Sequence, residues 1–141
     1  MRAKTVYESI SFERGKDPRK TMGIGMRVQI QQWFKTWAPN VEYTIDDNLN
    51  VIVEGYLNLS GTQITELPDN LSVGGDLYLR WTQITKLPDN LSVGGYLDLR
   101  ETQITKLPDN LSVGGWLDLQ GTQITELPDN LSVGGKIYKD F

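Results

Sequence analysis

A chain of 141 residues with 38% hydrophobic and 23% charged positions lies in the ordinary globular range, so neither a disordered nor a fibrous class fits. It contains no histidine and no cysteine, which removes imidazole bases, thiolate nucleophiles, disulfides and the usual zinc ligands. The net charge of −4 is uneven: residues 1–40 hold eight Lys/Arg against three Asp/Glu, +5, and residues 41–141 hold six against fifteen, −9.

No apolar run approaches the ~18 residues of a membrane span, and the first residues lack the apolar centre of a signal peptide. The expectation is a cytoplasmic chain with no membrane partner. The acidic body is a poor general surface for nucleic acid, because phosphate contacts need cations. Only Arg14, Lys16, Arg19 and Lys20 form a basic cluster, read first as a solvated surface and second as a place for a phosphate or an acidic partner.

In chain order, residues 1–16 suggest a short helix through Val6, Tyr7 and Ile10. Asp17-Pro18 is a helix start, with Asp as N-cap and Pro at the first helical position. Met22, Met26, Ile30, Trp33, Phe34 and Trp37 come next as one apolar stripe, and Pro39 stops the helix. Gly23 and Gly25 weaken its first turns, placing the regular part from Met26 onward. Residues 1–40 therefore read as a helical cap over the open end of the remaining chain.

Residues 41–141 are built on a repeat. From Thr62 the chain reads TQITELPDNLSVGGDLYLRW, TQITKLPDNLSVGGYLDLRE, TQITKLPDNLSVGGWLDLQG and TQITELPDNLSVGGKIYKDF, four copies of 20 residues ending at Phe141. Residues 41–61 form a degenerate lead-in in the same register. The apolar columns Leu57/77/97/117 and Leu59/79/99/119, with those of Ile64, Leu67, Leu71 and Val73, cannot be buried by one copy alone. Stacked coils bury them as a continuous core. The x-Leu-x-Leu-x segment alternates with period two and reads as a short strand, so the coils form one parallel sheet. Gly74-Gly75 and its copies allow a tight turn into that strand, and Leu-Pro-Asp-Asn-Leu predicts an extended or turn-like opposite side.

The repeat resembles the leucine-rich-repeat family in its short bacterial and bacteriophage form, with Leu-Pro-x-x-Leu in each coil, over residues 51–141. The family pattern falls on Gly74-x-x-Leu77-x-Leu79-x-x-Thr82-x-Ile84, with Gly for the first Leu and Thr for the usual Asn. The resemblance implies an α/β leucine-rich-repeat solenoid with a convex turn-like side, and a Thr62/82/102/122 hydroxyl ladder. A three-faced parallel β-helix is the structural alternative. Residues 43–55 resemble the hairpin that opens such proteins in bacteriophages and gut bacteria, and residues 17–25 resemble their N-terminal region. Both imply a phage or bacterial origin and no particular activity; the cytoplasm expected above is the host's if the chain is phage-encoded.

The first three copies differ from one another only at columns 66, 76, 78, 80 and 81, until Ile137 and Lys139 end the array, and four of these columns lie on or just after the strand, facing away from the leucines. They place Tyr56, Asn58, Asp76, Tyr78, Arg80, Trp81, Tyr96, Asp98, Arg100, Glu101, Trp116, Asp118, Gln120 and Tyr138 on one surface, the concave face of a leucine-rich repeat. Gln63, Thr65, Asp69, Asn70 and Ser72 should also be exposed, yet their columns do not vary. Tyr, Trp and Arg are the residues enriched at interface hot spots. The expectation is a non-enzymatic, cofactor-free module that binds a protein partner there. By analogy with phage proteins it acts as a stoichiometric inhibitor of a host defence protein.

Other readings are weaker. Asp98 and Asp118 on neighbouring strands have the spacing of a retaining glycosidase pair, but any repeat array gives that spacing. The Asp69/89/109/129 column has oxygen ligands for calcium, but it sits in Pro-Asp-Asn turns and the Gly-rich nonapeptide signature is missing. Gly23-Ile24-Gly25 fits no nucleotide motif. Carbohydrate binding on the same face remains open. So does self-assembly, either through the last strand or by docking of the basic cap on an acidic body.

Overall fold

Two stretches of each coil alternate between inward apolar and outward polar residues, Leu-Ser-Val and x-Leu-x-Leu, and both become strands. The computed structural model describes the backbone of residues 18–141 and the side chains from residue 25 onward. Helix α1 (Pro18–Trp37) leads into β1 (Thr44–Ile45), β2 (Val51–Val53) and β3 (Leu57–Asn58). The next two coils supply β4 (Leu71–Val73), β5 (Leu77–Tyr78), β6 (Ser92–Val93) and β7 (Leu97–Asp98), and the last two supply β8 (Ser112–Val113), β9 (Leu117–Asp118), β10 (Ser132–Val133) and β11 (Ile137–Tyr138). The first sheet runs β1-β2-β4-β6-β8-β10 and the second β11-β9-β7-β5-β3. β1 and β2 form an antiparallel hairpin; every other pairing is parallel and joins equivalent residues of successive coils, such as Val73↔Val93 and Leu77↔Leu97. The chain is a parallel β-solenoid of about four turns with one described helix.

The single sheet expected from sequence is thus two. The sequence pattern ends the turn-like stretch at Leu71 and gives Leu71-Ser72-Val73 no strand, yet this segment alternates in burial as the x-Leu-x-Leu strand does. The remaining side, Thr-Gln-Ile-Thr-x-Leu-Pro, holds neither strand nor helix. Its Pro lacks an N–H, and bonds between coils are sparse there, as from Gln83 N–H to the Ile64 carbonyl at 3.1 Å.

The glycine pair lies at the corner between the two strands, and contact between coils demands it. A Cβ on Gly74 would sit 2.5 Å from the Glu54 carbonyl oxygen, and one on Gly115 would sit 2.9 Å from that of Gly95. One on Gly94 or Gly114 would collide with the glycine carbonyl of the coil before it. The threonines do not form a ladder. Each hydroxyl donates to the carbonyl three residues earlier in its own coil, Leu59, Leu79, Leu99 or Leu119, at 2.7–2.8 Å, and so closes the turn after the second strand.

Inside, Leu57, Leu77, Leu97 and Leu117 are fully buried, as are Leu59, Leu79 and Leu99. Each buried side chain of this kind contributes about 1.5–3 kcal/mol of transfer free energy. The core continues into Phe34 and Ala38. Phe34 stacks on Tyr43 at 3.9 Å between ring centroids. The Trp33 indole donates to the Glu66 carbonyl at 3.0 Å, and Arg27 donates to the carbonyls of Ile45 and Asp46 at 3.0 and 2.9 Å. α1 therefore covers the first coil.

The apolar stripe is narrower than predicted: Phe34 is buried and Ile30, Trp33 and Trp37 partly so, but Met26 is 42% exposed. The helix is regular from Pro18 through both glycines rather than from Met26. The Asp17 cap, the Met22 side chain and the helix expected in residues 1–16 lie outside the described residues. At the other end Leu127, Leu131, Val133 and Ile137 are only partly buried. Among the described residues no helix is long and apolar enough to cross a membrane.

Candidate functional site

Because Leu57 and Leu59 and their copies point inward, the residue between them must point out. The second sheet therefore carries an outer row in strand register, Asn58↔Tyr78↔Asp98↔Asp118↔Tyr138. The flanking columns run beside it, Tyr56, Asp76, Tyr96 and Trp116 on one side and Arg80, Arg100 and Gln120 on the other. Trp81 and Glu101 stand in the following turn. The residues predicted from sequence share this one face, but not one environment. Tyr56, Trp81 and Trp116 are 66%, 59% and 50% exposed. Asp98 and Asp118 are only 2% and 5% exposed.

Strand alternation alone makes those two carboxylates free polar contacts. Instead they are covered and paired. Arg100 donates from Nε and Nη2 to Asp98 at 2.9 and 2.7 Å, a two-pronged fork, and its Nε lies 3.4 Å from Asp118. The Arg100 and Gln120 backbone N–H groups donate to Asp98 and Asp118 at 3.1 Å each, as Ser60 N–H does to Asn58 at 3.0 Å. An Asx side chain at this column thus bonds the amide two residues on and starts the turn. The Tyr96 hydroxyl donates to Asp118 at 3.3 Å. Asp76 accepts from the Tyr78 hydroxyl and the Tyr96 amide, both at 2.8 Å.

Electrostatics follow from this crowding. Burial, then the Asp98 charge, pushes the Tyr96 hydroxyl up to about 12. The hydrogen bond to Asp76 raises Tyr78, and the bond to Asp98 holds Arg100 still more firmly charged than a free guanidinium. Both tyrosines are neutral donors at ordinary pH.

Aromatic rings run across four coils over these groups. Tyr78–Tyr96, Tyr96–Trp116 and Trp116–Tyr138 meet edge to face at 5.9, 6.4 and 5.6 Å, each pair worth about 0.5–1.5 kcal/mol beyond its area. Beside them lies a feature that sequence reasoning missed. The third residue of the turn after β3, β5, β7 and β9 has positive φ: Gly61 at 75°, Trp81 at 58°, Glu101 at 56° and Gly121 at 77°. A side chain in the left-handed region costs on the order of 1–2 kcal/mol. Glycine at two of the four positions was the available signal. Trp81 and Glu101 hold their places against that cost, and such strain clusters at functional sites.

Arg19 and Lys20 lie on α1 with side chains outside the described residues, as do Arg14 and Lys16 entirely. Among the described residues no three carboxylates cluster closely enough to hold a metal ion. Fold and face together define a short, helix-capped parallel β-solenoid with an aromatic and charged strip along one sheet. The sequence matches no protein-family model, no curated protein and no solved structure.

Proposed function

We propose that this chain is a binding module that docks a protein partner on the outer face of its second sheet. The observation that carries the reading is the contrast between columns. Variation among otherwise identical coils is concentrated on this face, and it introduces Tyr, Trp and Arg, the residues that dominate interface energetics. Two variants, Trp81 and Glu101, occupy left-handed turn positions that glycine would fill without strain. The reading is non-catalytic, since Asp98 and Asp118 are occupied by Arg100 and backbone amides rather than open to a substrate.

The architecture is read as a leucine-rich-repeat-type solenoid of the short bacterial or phage form, on its 20-residue Leu-Pro-x-x-Leu coils and hairpin lead-in; the Leu-Ser-Val strands of the first sheet are its departure from that pattern. The same reading puts the protein in a cytoplasm, the host's if phage-encoded, as a stoichiometric blocker of a host protein. The test is a differential pull-down from host lysate. Wild type is compared with a Tyr56→Ser, Trp116→Ser bait, which removes exposed rings and leaves the Arg100 network intact. A protein held by wild type and lost by the variant supports the reading; identical captures sink it. A sugar ligand is the second reading, favoured by exposed rings beside carboxylates, and a glycan array with the same two baits separates it.

A further inference from the structure

Arg80 and Arg100 occupy the same column of adjacent coils and have opposite surroundings. Arg100 is clamped by Asp98 within its own coil and by Asp118 of the next. In the coil before, Tyr78 stands where Asp98 would, and its hydroxyl is committed to Asp76. The carboxylate of the following coil, Asp98, is already forked by Arg100. Arg80 is left with no ion pair among the described residues, and its Nε is buried without a hydrogen-bond partner. Its guanidinium carbon lies 4.6 Å from the centroid of the Trp81 ring. That ring shields one face of the cation and is itself held at a φ of 58°.

A guanidinium with one face on an indole and no internal anion is arranged to receive one; with Nε buried, it is the Nη1–Nη2 edge of its planar fork that matches a carboxylate. We propose that Arg80 is the specificity contact of this face and takes a carboxylate side chain, Asp or Glu, of a protein partner, with the adjacent residue packed on Trp81. This rests on the binding role of the face. Charge favours a carboxylate over a phosphate group. Asp98 and Glu101 belong to the neighbouring coil and the 41–141 body carries −9, so repulsion grows with the charge of the incoming anion.

The experiment is selection of a displayed random-peptide library on wild type, Arg80→Gln and Trp116→Ser proteins, each checked for a wild-type-like melting curve. Affinities of the recovered peptides are then measured by fluorescence polarisation. The expected result is that wild type enriches peptides with an Asp or Glu beside an apolar residue. Arg80→Gln should bind those peptides at least about tenfold more weakly, as for loss of a charge-assisted hydrogen bond. Arg80→Lys, which keeps the charge without the fork, should recover part of the loss. Enrichment of phosphorylated over carboxylate peptides in a parallel phosphopeptide library would overturn the choice of ligand. If peptides depend on Trp116 but show no acid preference and bind Arg80→Gln unchanged, the inference about Arg80 fails while the binding face survives. If recovered peptides bind all three proteins equally, or none is recovered, the face itself fails and takes the inference with it.

Discussion

Replacing Arg100 by Ala removes the only cation that touches Asp98 and Asp118 among the described residues. The side chains of these two aspartates are 3% and 7% exposed, and Arg100 reaches them at 2.7 and 3.4 Å. Removing one partner from a fully buried pair costs about 3–5 kcal/mol, because the remaining charge stays out of water. The Arg100 side chain is itself 30% exposed, so water fills part of the space it leaves and screens the carboxylates. The expected loss is therefore about 2–3 kcal/mol, a fall in Tm of about 6–12 °C for a chain of this size. Equilibrium urea denaturation followed by circular dichroism measures it, with an unchanged m-value as the sign that only stability moved. Adding Asp98→Asn and Asp118→Asn to the Arg100→Ala protein should recover at least about 1 kcal/mol, since the uncompensated charges are gone. A loss below about 1 kcal/mol, or no recovery in the triple variant, would refute the view that these carboxylates are a buried, compensated network rather than solvated side chains.

Other consequences come from separate parts of the solenoid. Gly94→Ala or Gly114→Ala drives a Cβ into the backbone of the preceding coil, so either should cost about 1–3 kcal/mol in urea titrations, whereas Gly55→Ala, with open space around the added carbon, should cost far less. Glu101→Gly should leave the protein about 1 kcal/mol more stable than Glu101→Ala, because both lose the carboxylate and only glycine relieves the left-handed strain. Tyr96 is raised from its ordinary 10.0 to about 12, so the fold favours its protonated form. That contribution is intact below pH 10 and lost as pH rises toward 12. Alkaline unfolding should shift upward in Tyr96→Phe, and tyrosinate absorbance should show one late-titrating group that the variant lacks. Deleting residues 82–101, one whole coil, should leave a cooperatively folded protein with the same circular dichroism signature, since each coil packs only on its neighbours.

Much of this molecule is legible in its period. Identical spacing of Leu, Ile and Val columns forces equivalent residues onto one another, and the buried columns are those read from the repeat. The helix start at Pro18 and its end before Pro39 follow from proline chemistry. The first sheet escaped because Leu-Ser-Val is only one alternation long, too short to separate from a turn by pattern alone. The glycine pair reads from sequence as a permissive corner; its reason is steric, and lies one coil away in space and 20 residues away in sequence. The candidate face was legible as a set of columns, since strand alternation alone sends Tyr78, Asp98 and Asp118 outward. Their separate fates were not. Whether Asp98 and Asp118 are exposed depends on which long side chains reach them, and Arg100 and Tyr96 belong to neighbouring columns. Likewise Arg80 and Arg100 look equivalent in the alignment of coils, and only Tyr78 in place of an acid separates them.

The most direct test of the proposed binding face is site-specific photo-cross-linking in cells that express the chain. A photoreactive residue is placed at Trp116, on the outer face of the second sheet, or at Ser112, exposed on the first sheet at a position that does not vary between coils. A partner docked on the second sheet predicts a discrete adduct with one protein from position 116 and none from position 112. Adducts of equal strength from both positions, or from 112 alone, would contradict it.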